Sequence, residues 1–129
     1  MKYLCLAYYD VAKLDALSHE QMAELESQCA PHDDALRATG KVLMQGSLGL
    51  PESGASIRPE NGKPSMTDGP FIETHEQIGG MFIVEAGTLS EALMVASKHP
   101  AARLGEKVGW GIEVRPIEFL EDYAEKSPA

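Results

Sequence analysis

The chain has 129 residues, of which 20 are acidic and 11 basic, and its net charge at pH 7 is −9. This length corresponds to one domain with a core of its own. The acidic balance argues against binding to nucleic acid or to anionic membranes, since both are bound mainly by Lys and Arg, and no apolar run approaches the roughly 18 residues of a membrane span.

Two cysteines, Cys5 and Cys29, are too few for a disulfide framework, and their spacing has no zinc signature. We expect both thiols to be reduced and buried. The apolar run at the N-terminus is too short for a signal peptide and is typical of a strand. These features together predict a cytoplasmic protein.

The first part of the chain predicts a strand followed by a helix. Residues 2–9 form a strand that is apolar on both faces. A capping box at Ser18 opens the helix, and Pro31 should kink it or split it in two. Asp33 and Arg37 are four residues apart, which predicts a minor ion pair on the exposed side of the helix.

The remainder predicts further strands, a hairpin and a second helix. Asn61-Gly62 is a strong signal for a tight hairpin turn, here between residues 55–58 and 63–67. Gly79 and Gly80 indicate a bulge or a close backbone approach. Strands are predicted at 42–50, 79–85 and 110–118, and a helix capped by Thr88 is predicted to end near Lys98.

This order predicts a single α+β domain over residues 1–120, ferredoxin-like (βαββαβ) with an added hairpin, and a polar tail over 121–129. Two helices cover only one face of a sheet, yet residues 2–9 and Met81–Val84 are apolar on both faces. The second face would be a large apolar patch, which soluble monomers avoid. We therefore expect a homodimer in which a second copy packs sheet to sheet.

The segment from Thr67 to Gly80 is the candidate functional loop, because it combines carboxylates, a histidine, a Gly-Pro bend and a Gly-Gly pair. Asp68 has two interpretations. As a turn residue it accepts backbone N–H groups, while Gly69 adopts a conformation that disfavours side chains and Phe71 anchors the loop in the core. As a functional residue it is a general acid or base at the mouth of a cleft.

The first helix places His32 on its apolar stripe, one turn after Cys29. His32 is either a core histidine or the partner that exchanges a proton with Asp68. In the second case Cys29 shares the pocket, and a reactive thiol there would need the positive charge of His32.

Arg115 lies on the same strand face as Glu113. It forms either an ion pair with Glu113 or an anchor for a substrate carboxylate. The charged residues of the loop are too close together to form a metal site, and no cofactor motif is present, so neither a metal nor a cofactor is expected. Proton chemistry is therefore favoured over electron transfer.

Three segments resemble the DGPF branch of the YCII-related proteins: Thr67–Phe71 with Glu73, Glu76 and Gly80; His99–Ala102; and Glu113–Ile117. The resemblance spans nearly the whole domain and implies a dimeric α/β barrel of ferredoxin-like protomers. It also implies either chemistry at a His-Asp pair, proposed for the YCII branch, or a regulatory role with sigma factors, associated with some DGPF proteins. The helix histidine of the YCII branch corresponds here to Cys29.

The leading hypothesis is a homodimer whose cleft, lined by residues 68–76, the first helix and the last strand, binds a small carboxylated or polar molecule. Asp68 would transfer a proton with help from His32, and the ligand would contact Arg115, Glu73 and Phe71. The alternative is a non-catalytic module that senses a ligand or binds a regulatory protein partner through its acidic surface.

Overall fold

The computed structural model describes residues 1–71 and 74–124 and shows a mixed α+β domain. In chain order its elements are β1 (Lys2–Asp10), α1 (Val11–Asp15), α2 (His19–Ser27), α3 (Ala30–Ala38), β2 (Val42–Ser47), β3 (Ala55–Glu60), β4 (Lys63–Asp68), β5 (Glu76–Glu85), α4 (Leu89–Ala96) and β6 (Gly111–Pro116). Of the expected C-terminal tail, residues 125–129 lie outside the described ranges. No helix in the described ranges is long and apolar enough to cross a bilayer.

Four strands form one antiparallel sheet in the order β2-β5-β1-β6. The two apolar strands, β1 and β5, occupy the centre, and the more polar strands form the edges. With α2–α3 following β1 and α4 following β5, this order is consistent with a ferredoxin-like arrangement.

Strands β3 and β4 form a separate two-stranded hairpin. Its turn is the Asn-Gly pair that the sequence indicates, with positive φ angles at both Asn61 (53°) and Gly62 (77°). Two consecutive positive φ angles are what a two-residue turn of this kind requires, and Asn and Gly tolerate them best.

The predicted first helix is two helices, as Pro31 indicates. The capping box at the start of α2 is present, since Gln21 N donates to Ser18 Oγ (3.1 Å) and Ser18 N donates to Gln21 Oε1 (2.9 Å). The chain then bends, and α3 begins with Pro31 in its first turn, where a missing N–H costs no hydrogen bond. The short helix α1 was not predicted; Asp10 caps it by accepting from Lys13 N (3.0 Å).

The main core lies between one face of the sheet and the helices α3 and α4. Leu36 of α3 packs there with Ala92 and Ala96 of α4 against β1 and β5; the cluster is Tyr3, Cys5, Leu36, Phe82, Val84, Ala86, Ala92 and Ala96. Burial raises the pKa of the Cys5 thiol to about 11, so Cys5 is an inert core residue, as expected.

The opposite face of the sheet, called here the second face, is also apolar. Leu4 pairs with Ile83 and Leu6 pairs with Met81 across β1 and β5, and these four side chains lie outside the core cluster. The prediction that both central strands are apolar on both faces is therefore confirmed. The helices α3 and α4 contribute their buried residues to the first face only.

Candidate functional site

An open cleft of about 720 Å³ lies where the sheet meets α2, α3 and the segment after α4. Its lining brings together residues that are far apart in the sequence, among them Tyr9, Cys29, Asp33, Gly79, His99 and Trp110. A cleft of this size, with polar and titratable groups on apolar walls, has the properties of a small-molecule site.

A β-bulge at Gly79 shapes the sheet wall of the cleft. Ala7 pairs with Gly80 and Tyr8 pairs with Ile78, so Gly79 is the extra residue, as the Gly-Gly pair predicts. A Cβ atom on Gly79 would lie 2.9 Å from Tyr9 Cδ1. The glycine therefore leaves room for the Tyr9 ring to pack closely against the strand at the cleft wall.

We expect Gly79→Ala to displace the Tyr9 ring, because a contact of 2.9 Å is closer than real Cβ atoms accept. The loss of stability should be on the order of 1–3 kcal/mol, as for other overpacked sites. Denaturant unfolding measures it, and Gly46→Ala is the matched control, since a Cβ there meets nothing within 4 Å. Equal stability of the two variants would contradict the close approach.

His99 lies in the segment that follows α4, shortly after the helix ends at Ala96, and two contacts fix the position of its ring. Ala101 N donates to His99 Nδ1 (3.0 Å), and the ring stacks on Phe82 with centroids 4.8 Å apart and planes 3° apart. Burial lowers the pKa of His99, while the charge of Asp33 raises it to a smaller extent. The imidazole is therefore held in place in its neutral form.

Asp33 occupies the helix wall of the cleft, half-buried and near enough to His99 to act on its pKa. The predicted Asp33–Arg37 ion pair is wrong. Arg37 contacts Asp34 instead, with Nη1 3.4 Å from Oδ1, while Asp33 lines the cleft. Within residues 1–71 and 74–124, no side chain hydrogen bonds or ion-pairs with the Asp33 carboxylate.

Cys29 also lines the cleft and is half-buried, so the expectation of a buried thiol is wrong at this position. Burial raises the pKa of Cys29, and the nearby carboxylates of Asp33 and Glu26 raise it further. The thiol therefore stays protonated at neutral pH. This is the opposite of the positive environment that a nucleophilic cysteine needs.

Asp68 and Phe71 of the candidate loop are not among the residues that line this cleft, whereas Gly79 and Gly80 at its end are. Asp68 is exposed at the end of β4, where Gly69 follows with a φ of 82°, as expected. The expectation that Phe71 anchors the loop in the core is wrong: its side chain is 58% exposed, and the Arg58 guanidinium lies 4.3 Å from the ring centroid. Glu73 lies outside the described residues.

Arg115 belongs to the second face of the sheet, together with Tyr8 and Glu113. Its Nε is 4.0 Å from Glu113 Oε2, and the Tyr8 hydroxyl donates to Glu113 Oε1 (2.8 Å). His32 is half-buried in α3 and is not part of the cleft lining. In the single chain, Asp68, His32 and Arg115 are thus not brought together at the cleft.

Sequence reasoning missed Asp33 and His99 as site residues. Two signals pointed to them: Met22, Cys29 and Asp33 follow one another at helical spacing and all line the cleft, and His99 precedes a proline at the end of a helix. Among the described residues, no group of three or more His, Cys, Asp or Glu side chains converges as a metal site.

An antiparallel sheet with two helices on one face and a cleft at their junction makes a small α+β domain, consistent with a ferredoxin-like fold. The model of the YCII-related domain matches residues 1–118, and the chain belongs to this family. A similar protein from Rhizobium meliloti (strain 1021), described as uncharacterised, is 29% identical over 121 residues, which cover 94% of this chain and 95% of that protein.

Proposed function

We propose that this protein binds a small polar organic molecule in the cleft and transfers a proton to or from it through Asp33. The observation that carries the proposal is the Asp33 carboxylate itself, which is half-buried, lies at the cleft wall beside His99, and has no partner among the described residues. A carboxylate that no structural contact uses is available as a proton acceptor.

The charges of the lining favour an uncharged or cationic ligand over a carboxylate. Glu26 and Asp33 are acidic, while the Arg37 guanidinium, which also belongs to the lining, contacts Asp34. A ligand carboxylate beside Asp33 would place like charges together, which is unfavourable in a partly desolvated cleft. A polar ligand therefore suits this site better than the carboxylated one that Arg115 indicates.

We further propose that the active form is a homodimer, a dimeric α/β barrel built by packing the second faces together. The support is the apolar character of that face, where Leu4, Leu6, Met81 and Ile83 lie on the side opposite the core helices. Within such a barrel, Arg115 and Glu113 would lie at the subunit interface. Asp68, Glu73 and Phe71 would contact a ligand in the cleft only if dimer formation placed them near the cleft of the partner subunit.

Membership of the DGPF branch and a cytoplasmic location complete the proposal. The branch is supported by Asp68-Gly69-Pro70-Phe71 followed by the Gly79-Gly80 bulge. The location is supported by two free thiols, Cys5 and Cys29, which suit a reducing compartment.

The test compares Asp33→Asn with Asp34→Asn, two adjacent residues of α3, of which only Asp33 lines the cleft. Hydroxyacetone in D2O is the probe, because a base that removes a proton next to its carbonyl replaces it with deuterium. Wild type should accelerate this exchange, Asp33→Asn should lower the rate about 100-fold or more, and Asp34→Asn should match wild type. Proton NMR measures the exchange.

Equal loss in both variants would show an effect of helix charge rather than a role of Asp33, and retained exchange in Asp33→Asn would contradict the proposal.

The alternative function, a non-catalytic sensor with a protein partner, is favoured by the exposed apolar side chains Leu89, Leu93 and Met94 on α4. Saturable binding of hydroxyacetone without any exchange by wild type would support that alternative.

A further inference from the structure

We propose that His99 acts in the cleft as an uncharged hydrogen-bond donor, and that its Nε2–H donates to a carbonyl oxygen of the ligand. This inference rests on the proposed function of the cleft and names the class of ligand: a small carbonyl compound that is neutral or cationic. It assigns His99 the role of donor and leaves Asp33 as the base.

The hydrogen bond from Ala101 fixes the tautomer of His99. Ala101 N donates to His99 Nδ1 at 3.0 Å, and a ring nitrogen that accepts a hydrogen bond carries no proton. In a neutral imidazole the single proton then resides on the other nitrogen, Nε2. Protonation of Nδ1 would direct its N–H against the N–H of Ala101 and break this contact.

Nε2 of His99 has no partner in the described part of the chain and is not fully buried. None of the described residues hydrogen bonds with it. Yet no buried side-chain nitrogen or oxygen in the described part of the chain lacks a partner. Nε2 is therefore not fully buried, and His99 itself lines the cleft. A donor that the fold leaves unpaired and accessible is available to a ligand acceptor.

The direction of the N–H bond is set before any ligand binds. The ring lies flat on Phe82, which is itself only 1% exposed in the main core, and the Ala101 contact prevents rotation within the ring plane. A fixed donor stabilises negative charge that develops on an oxygen without the cost of reorienting itself, which is the principle of an oxyanion hole.

The surroundings determine which protonation state is present. Besides Asp33 on α3, the charged and titratable residues that line the cleft with His99 are Tyr8, whose hydroxyl lies on the second face of the sheet, Tyr9, Glu26, Cys29 and Arg37. Burial is the largest influence on the pKa of His99 and lowers it below 6.5, although Asp33 acts in the opposite direction. Neutral His99 is consequently the form present at pH 7.

The two side chains then divide one proton transfer between them. Asp33 accepts the proton from a carbon next to the ligand carbonyl, and the electron pair of that C–H bond moves into the C–C bond as the carbonyl π pair moves onto oxygen. His99 Nε2–H hydrogen bonds with the resulting enolate oxygen and keeps its own proton. Return of a proton from Asp33 to carbon, with exchange against solvent, completes the cycle.

The tautomer is tested by the ring nitrogens of His99 in 15N NMR of the full chain. We expect Nδ1 to resonate as an unprotonated, pyridine-like nitrogen and Nε2 as a protonated, pyrrole-like nitrogen at pH 7, and this pattern should persist as the pH falls through 6.5. The reversed pattern, or a fully protonated ring at pH 7, would overturn the proposal whether or not the cleft binds anything.

The donor role is tested with His99→Asn and His99→Gln. The Asn oxygen can still accept from Ala101 N, but its amide does not reach the position of Nε2; the Gln amide nitrogen comes closer to that position. The rate of deuterium exchange into hydroxyacetone should fall about 100-fold in His99→Asn, as for other oxyanion donors, and be partly restored in His99→Gln. An unchanged rate in His99→Asn would overturn the donor role.

Three probes with one skeleton test the ligand class: hydroxyacetone (neutral), aminoacetone (cationic) and pyruvate (anionic). Saturable binding of the first two, in preference to pyruvate and with a shift of the His99 Nε2–H signal, is the expected result. Preference for pyruvate would overturn the ligand class. If the wild-type protein binds none of the three, both the ligand class and the proposed function are contradicted. The 15N spectrum of His99 still decides the tautomer in that case.

Discussion

Leu6→Lys is expected to sediment as a monomer at concentrations where we expect the wild-type protein to sediment as a dimer. Leu6 lies on the second face of the sheet, paired with Met81 on one side and Glu113 on the other. In a monomer the new ammonium group can reach water and pair with Glu113, so the fold should tolerate it. In a dimer that packs second face to second face, two such charges and the Glu113 carboxylates beside them would lose their water at the interface, which costs several kcal/mol.

Leu93→Lys is the matched control for this experiment. Leu93 is 49% exposed on the outer surface of α4, on the other side of the molecule from the second face. The control should remain dimeric by sedimentation velocity, and circular dichroism should show both variants folded. A monomeric wild type, or a Leu6→Lys variant that remains dimeric, would contradict the proposed barrel.

Leu36→Ala is expected to lower the free energy of unfolding by about 2–5 kcal/mol, the range for large-to-small changes in cores. Leu36 is fully buried and is the residue through which α3 joins the cluster formed by Phe82, Val84 and Ala96. Its removal leaves a cavity between the helix and the centre of the sheet. Because α3 also carries Asp33, the variant should loosen the helix wall of the cleft.

Urea unfolding of equal concentrations of protein measures the change, and Leu93→Ala is the control. Since Leu93 is half exposed on α4 and outside the core cluster, its replacement should change the unfolding free energy by no more than about 0.5 kcal/mol, as is usual for surface positions. Equal effects in the two variants would contradict the placement of Leu36 at the centre of the core.

Features that depend on a few neighbouring residues could be predicted from the sequence. The capping box at Ser18, the break at Pro31, the turn at Asn61-Gly62 and the bulge at Gly79 all form, because each has a local stereochemical cause. The two-sided apolar pattern of β1 and β5 also identified the second face. β2 ends three residues earlier than expected, at Ser47, and β5 begins three residues earlier than expected, at Glu76.

The cleft could not be predicted, because its walls come from elements that are far apart in the sequence and meet only in the folded chain. Met22, Cys29 and Asp33 follow one another at helical spacing, but that spacing does not indicate that the Gly79 bulge and the segment after α4 lie opposite them. His99 reaches the same cleft only through its long-range contact with Phe82. Asp68 does not line this cleft: it ends β4, which pairs with β3 in a separate hairpin, and Phe71 beyond it is exposed.

The most direct test of the central claim is a map of NMR chemical-shift changes in the wild-type protein during titration with hydroxyacetone. The largest changes should cluster at Tyr9, Cys29, Asp33 and His99, the residues that share the cleft. Changes that cluster instead at Asp68, Phe71 and Arg115 would place the ligand at the hairpin and the second face, and would contradict the assignment of the site to this cleft.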